Sequence, residues 1–179
     1  MGKQAGKLAF CGVATALSLV ILLLTAIPVT EISLAVLAGM IGAPVVIEAG
    51  NRYGWLSYIA ASLLALLLVP SVEGKGLYIA LFGYYPVLKA ILEGHSLPRA
   101  AEWGIKFGVF NLSMIAAYWV MLRFFHLDGE VFTFRGVSLP WLFLLAGNGV
   151  FWLYDWCLTR LISVYMMRFH ARIRRLFRF

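Results

Sequence analysis

Charge is the scarcest commodity in this sequence. Lys, Arg, Asp and Glu make up 13% of its 179 residues, about half the share of an ordinary soluble domain. Hydrophobic residues reach 63%, and the mean hydropathy is +0.90. This deficit excludes a water-soluble globule of this size, which needs a solvated surface, and a disordered chain, which needs low hydrophobicity. Two cysteines are too few for a disulfide-stapled scaffold, and 17 glycines without a strict period exclude a collagen-like rod. Also missing are His-Glu-x-x-His, Gly-x-Ser-x-Gly, a paired acidic motif and a P-loop, so nothing points to a hydrolase, a metal centre or ATP binding in this chain. No enzymatic activity and no cofactor are expected.

What the sequence has instead is long apolar runs. Six are long enough to cross ~30 Å of hydrocarbon at 1.5 Å per helical residue. They are Leu8 to Ile27, Ile32 to Gly50, Tyr53 to Val69, Gly76 to Leu92, Trp103 to Phe125, and Leu139 to about Ser163. None alternates with period two and each outlasts a barrel strand, so helices are predicted. Pro28, Pro70, Pro98 and Pro140 stand at or near run edges, whereas Pro44 and Pro86 lie inside runs and predict kinks.

Basic residues orient these runs. With six spans and a cytosolic N-terminus, only Lys75, Arg123 and Arg135 of the 15 Lys and Arg fall outside; dropping the weak fourth run spoils this bias. The expected fold is therefore all-α, a polytopic bundle of six transmembrane helices with both termini cytosolic. Residues 1–166 form the transmembrane domain and 167–179 a basic interfacial tail. In this arrangement His95, His126 and His170 cannot converge as metal ligands, and Cys11 and Cys157 read as reduced packing residues. The external segment from His126 to Ser138, with Asp128-Gly129 and alternating Val131-Phe132-Thr133-Phe134, reads as a small hairpin or cap.

The +7 net charge follows from topology and implies no nucleic-acid partner. In the tail, Phe169, Ile173 and Leu176 recur at helical spacing, while Arg168, Arg172 and Arg175 form a basic stripe. That pattern suits an interfacial helix whose cations meet anionic lipid headgroups.

Glu48, Lys89 and Asp155 fall roughly 8–10 Å from the span midpoints toward the cytosol at 1.5 Å per residue, and Lys106 is slightly nearer the surface. An isolated charge near a helix centre costs about 2.5–3.5 kcal/mol. Both signs at one depth therefore imply an intramembrane ionic cluster of Glu48, Lys89, Lys106 and Asp155, with Arg52 one turn from Glu48. The cluster serves as a structural latch or as a proton relay.

The outer half is aromatic instead. Tyr78, Tyr84, Tyr85, Trp119 and Trp152, the amides of Asn111 and Asn148, and Glu31 at the rim outline a candidate chamber for a small planar molecule. Gly83-Tyr84-Tyr85-Pro86 should interrupt its helix near the midplane. Belt anchoring and helix-to-helix hydrogen bonding are the structural alternatives for these residue types. In the first run, Ala5, Ala9, Gly12 and Ala16 form a stripe of small side chains that would let another helix approach closely, one of this chain or of a partner.

The segments Leu8-Ala9-Phe10-Cys11-Gly12-Val13-Ala14-Thr15-Ala16-Leu17, Ile27-Pro28 and Leu34-Ala35-Val36-Leu37-Ala38-Gly39-Met40-Ile41-Gly42, with the six-run layout, resemble the substrate-binding S-components of energy-coupling-factor (ECF) importers of vitamins and metabolites. The resemblance implies six helices with cytosolic ends and an outward ligand pocket in a bacterial plasma membrane. It also implies a docking face at Ala5 and Ala9, continued by Gly12 and Ala16, for a transmembrane coupling subunit with its ATPases. The expected function is capture of a small, vitamin-like substrate for uptake. The alternatives are a non-catalytic scaffold of an envelope or cell-shape complex and an ion-coupled secondary transporter.

Overall fold

A computed structural model describes residues 2–27, 29–95, 98–125, 133–134 and 137–177. Helices fill all six apolar runs. They are α1 (Gly2–Leu23, continued by a 3-10 turn, Leu24–Ala26), α2 (Glu31–Met40), α3 (Gly42–Ala49), α4 (Asn51–Leu68), α5 (Val72–Leu77), α6 (Tyr85–Glu93), α7 (Arg99–Phe125), α8 (Leu139–Arg168) and α9 (His170–Phe177). A π-helical turn, Tyr78–Phe82, joins α5 to α6. Among the described residues the chain is all-α apart from one short antiparallel pair, β1 (Thr133–Phe134) and β2 (Val137–Ser138), in which Thr133 faces Ser138 and Phe134 faces Val137. Residues 126–132 and 135–136 of the expected cap lie outside the described residues.

Among the described residues, two helical stretches are long and apolar enough to cross a membrane, Gln4–Ala26 and Glu31–Ala49. Both internal prolines stand just past a break in a run. Pro44 follows the break at Ile41 that divides the second run into α2 and α3, and Pro86 opens α6 after the π-turn. A proline supplies no N–H to the preceding turn, so each run gives way there.

The chain divides into two compact units, residues 1–96 with 157–179, and residues 97–156. In the first, α1 packs on α2, α3 and α4. Small residues make this possible. Ala35, Ala38 and Gly39 on α2, and Gly54, Ala61 and Ala65 on α4, are buried. A Cβ on Gly39 would lie 2.5 Å from the Phe82 carbonyl oxygen, so α2 meets the π-turn backbone to backbone. Hydroxyls along α1 find partners in this unit: Thr15 and Ser57 are 2.7 Å apart, and Ser18 donates to the Ala38 carbonyl at 3.2 Å. Between α3 and α4 the backbone turns at Gly50 with φ 96° and ψ 170°, a conformation open essentially to glycine alone.

In the second unit α7 runs antiparallel to the first part of α8. Their seam is aromatic: Phe110 stacks on Phe151 with centroids 4.6 Å apart, and Phe107 meets the same ring edge-on at 5.4 Å. Gly147 gives the Phe110 ring room to lie against α8.

Candidate functional site

The small-residue face of α1 is turned outward. Phe10, Cys11, Ala14, Thr15, Ser18 and Leu22 form the buried side of the helix. Ala5, Ala9, Gly12 and Ala16 fall on the other side and are exposed. A Cβ on Gly12 would meet nothing within 4 Å. Among the described residues, no helix of this chain covers the stripe.

Glu48, Lys89, Lys106 and Asp155 are all buried within the protein, and each has a partner. In the second unit, Lys106 lies 2.5 Å from Glu102 and 3.5 Å from Asp155, with its ammonium over the Trp103 ring. The Lys106 and Asp155 side chains are 2% and 6% exposed. Two carboxylates and a ring face thus replace the water that the ammonium loses. In the first unit, Lys89 pairs with Glu93 at 2.6 Å. Glu48 accepts hydrogen bonds at a single oxygen, Oε1, from the Tyr165 hydroxyl at 3.0 Å and from His170 Nδ1 at 2.7 Å. Arg52, expected to assist Glu48, is exposed.

Sequence reasoning missed four of these partners. Glu93 and Glu102 carried a signal, since each lies four residues from its lysine. Tyr165 and His170 carried none, because 117 and 122 residues separate them from Glu48.

The amides and rings of the expected chamber divide by unit. Asn111 and Asn148 bond to each other twice, at 3.0 Å in each direction. The remaining amide N–H of each is donated to the carbonyl four residues earlier, Phe107 and Leu144. Trp119 and Trp152, in the same unit, are exposed.

In the first unit Tyr78 and Tyr85 are buried. Tyr78 and Tyr84 gather around Tyr58, with centroids 6.3 and 6.1 Å away. Tyr58 is the further residue that sequence reasoning missed. The π-turn routes the Gly83 N–H to the Tyr78 carbonyl, and the Tyr58 hydroxyl donates 2.8 Å to the Ile79 carbonyl. A widened turn that leaves a carbonyl without its usual donor recurs at functional sites, and here the Tyr58 hydroxyl takes the donor's place. At the far end of α2, Glu31 accepts from the Ser71 hydroxyl at 3.0 Å. Its neighbour Glu73 has its carboxyl held above the ordinary range, first by a hydrogen bond to Glu31, then by that residue's charge and by burial.

The C-terminal helix departs from a free interfacial helix. Ile173 packs against the buried cluster of Phe10, Cys11, Ala14, Val45 and Ala49, so this member of the apolar stripe is covered by protein. Arg168, Arg172 and Arg175 are exposed. Among the described residues, no group of three or more His, Cys, Asp or Glu is arranged to hold a metal ion. No family model, curated protein or solved structure matches this chain.

Proposed function

We propose that the chain is a multi-pass membrane subunit that captures a small, vitamin-like molecule and hands it to an ATP-driven partner docked on α1. The observation that carries this reading is the outward face of Ala5, Ala9, Gly12 and Ala16, with open space before Gly12. Small side chains gain little from contact with lipid, but they let a second helix approach its neighbour's backbone closely. The membrane setting is supported by two sufficiently long apolar helical stretches and by leucines left exposed along one helix, such as Leu63, Leu66 and Leu67 of α4. Six spans, cytosolic termini and a bacterial plasma membrane belong to the same proposal. Tyr58, Tyr78 and Tyr84 around the π-turn offer the ring faces for a planar ligand.

The test is thermal unfolding of the detergent-purified protein against a panel of water-soluble vitamins. One of them, at 100 times its Kd, should add about 2.7 kcal/mol of stability. Denaturing the protein as isolated should release the same compound for mass spectrometry. No stabilisation across the panel and no retained compound would refute capture.

A second reading, a non-catalytic scaffold for partner helices, is favoured by the Asn111–Asn148 pair, whose amide hydrogens are all used within the protein. It predicts the same helix docking on α1 with no ligand.

A further inference from the structure

The C-terminal helix has one face fixed by the protein and one face left cationic. Glu48, with its side chain 1% exposed, holds His170 at 2.7 Å. Three residues on, Ile173 enters the cluster formed by α1 and α3. These two anchors set the rotation of α9 about its axis. Arg172, Arg174 and Arg175, with Arg168 at the end of α8, are exposed as a result. Among the described residues, no carboxylate pairs with any of these four. From Arg168 to Arg178 the sequence holds five arginines and no acid. Arg168 and Arg172 are one helical turn apart, and together with Met167 and Phe169 they wall a surface depression.

We propose that this depression binds the phosphate of an anionic phospholipid headgroup. The two guanidinium groups supply paired donors to the phosphate oxygens, while the Phe169 ring and the Met167 thioether lie beside the glycerol and upper acyl chain. A free amphipathic helix would sink its whole apolar stripe into the bilayer. Here the protein has taken Ile173, so the contact is a located site rather than a partition of the tail into lipid. The proposal rests on the membrane reading above.

The test uses the full-length protein in a neutral detergent, titrated with short-chain phosphatidylglycerol and followed by native mass spectrometry. Phosphatidylcholine and inorganic phosphate are run in parallel. Each arginine near an anionic surface contributes about 1 kcal/mol, or roughly fivefold in affinity. Arg168→Ala and Arg172→Ala should therefore each weaken phosphatidylglycerol binding about fivefold, and the pair about 25-fold. Arg174→Ala should change it less than about twofold, being outside the depression. His170→Ala should also weaken binding, although it removes no arginine.

Equal losses at Arg168 and Arg174 would overturn the site in favour of diffuse charge. Equal binding of phosphatidylcholine would reduce it to apolar contact, and inorganic phosphate competing as well as the lipid would make it a free-anion site. Recovery of the protein in the aqueous fraction without detergent would instead defeat the membrane reading itself.

Discussion

Asn111 and Asn148 face each other across two antiparallel helices, each amide donating to the other's carbonyl oxygen at 3.0 Å. With their second N–H groups spent on Phe107 and Leu144, the pair forms a closed ring of hydrogen bonds joining α7 to α8. Asn111→Ala leaves Asn148 with an unmatched amide, and the reverse change does the same to Asn111. Each single variant should lose about 1–2 kcal/mol of stability. The double variant should lose less than the sum, because no lone amide remains. Thermal unfolding of the three variants in one detergent checks this double-mutant cycle.

Lys106 and Asp155 form a second polar link of that helix pair, 3.5 Å apart and almost wholly buried. Asp155→Ala removes one of the two carboxylates that face Lys106 and leaves it Glu102 at 2.5 Å. It should cost about 1–3 kcal/mol, above the loss from replacing an exposed residue of α7. Lys106→Met combined with Asp155→Leu should recover part of that loss, since it removes both charges and refills the space. The midpoint of unfolding, compared across the single and paired variants, reads the difference. A latch survives the paired change with the fold intact, whereas a proton relay loses transport.

The helical content and the two breaks were legible in the sequence because they follow from local chemistry. Apolar runs of about 20 residues dictate helices, and Pro44 and Pro86 weaken the turn just before them whatever surrounds them. The outward stripe on α1 was legible as a pattern but not as a surface: spacing shows that Ala5, Ala9, Gly12 and Ala16 share a face, not which face the rest of the chain leaves bare. Glu48 marks the limit. A buried carboxylate demands donors, yet nothing in the spacing says that these come from Tyr165 and His170. The tail taught the same lesson. Its amphipathic period was plain, but whether lipid or protein covers Ile173 depends on the cavity that α1 and α3 present.

Gly12 and Gly39 should respond to substitution in opposite ways. A methyl group on Gly39 would meet the Phe82 backbone at 2.5 Å, whereas one on Gly12 would meet nothing within 4 Å. Gly39→Ala should destabilise the protein by about 1–3 kcal/mol through forced separation of α2 from the π-turn. Gly12→Leu should leave the unfolding midpoint unchanged while reducing uptake in cells, if the face docks a partner helix. A third glycine separates strain from crowding: Gly50 has open space around it, yet Gly50→Ala should cost about 1–3 kcal/mol because φ 96° and ψ 170° exclude a side chain.

Glu31 and Glu73 make stability depend on pH in a direction opposite to that of most paired carboxylates. Glu73 is favoured in its protonated form, first because that form hydrogen-bonds to Glu31 and then because two like charges would otherwise meet. A carboxyl raised in the folded state binds its proton more tightly there than in the unfolded chain. Its contribution is therefore complete below the ordinary value of 4.5 and is lost as pH rises through the elevated value. Glu73→Gln keeps a donor toward Glu31 at every pH and removes the second charge. Between pH 4 and 7 the melting temperature of the wild type should fall relative to that of Glu73→Gln, with the gap widest at the upper end. Parallel melting curves over that range would show that the two carboxyls titrate independently.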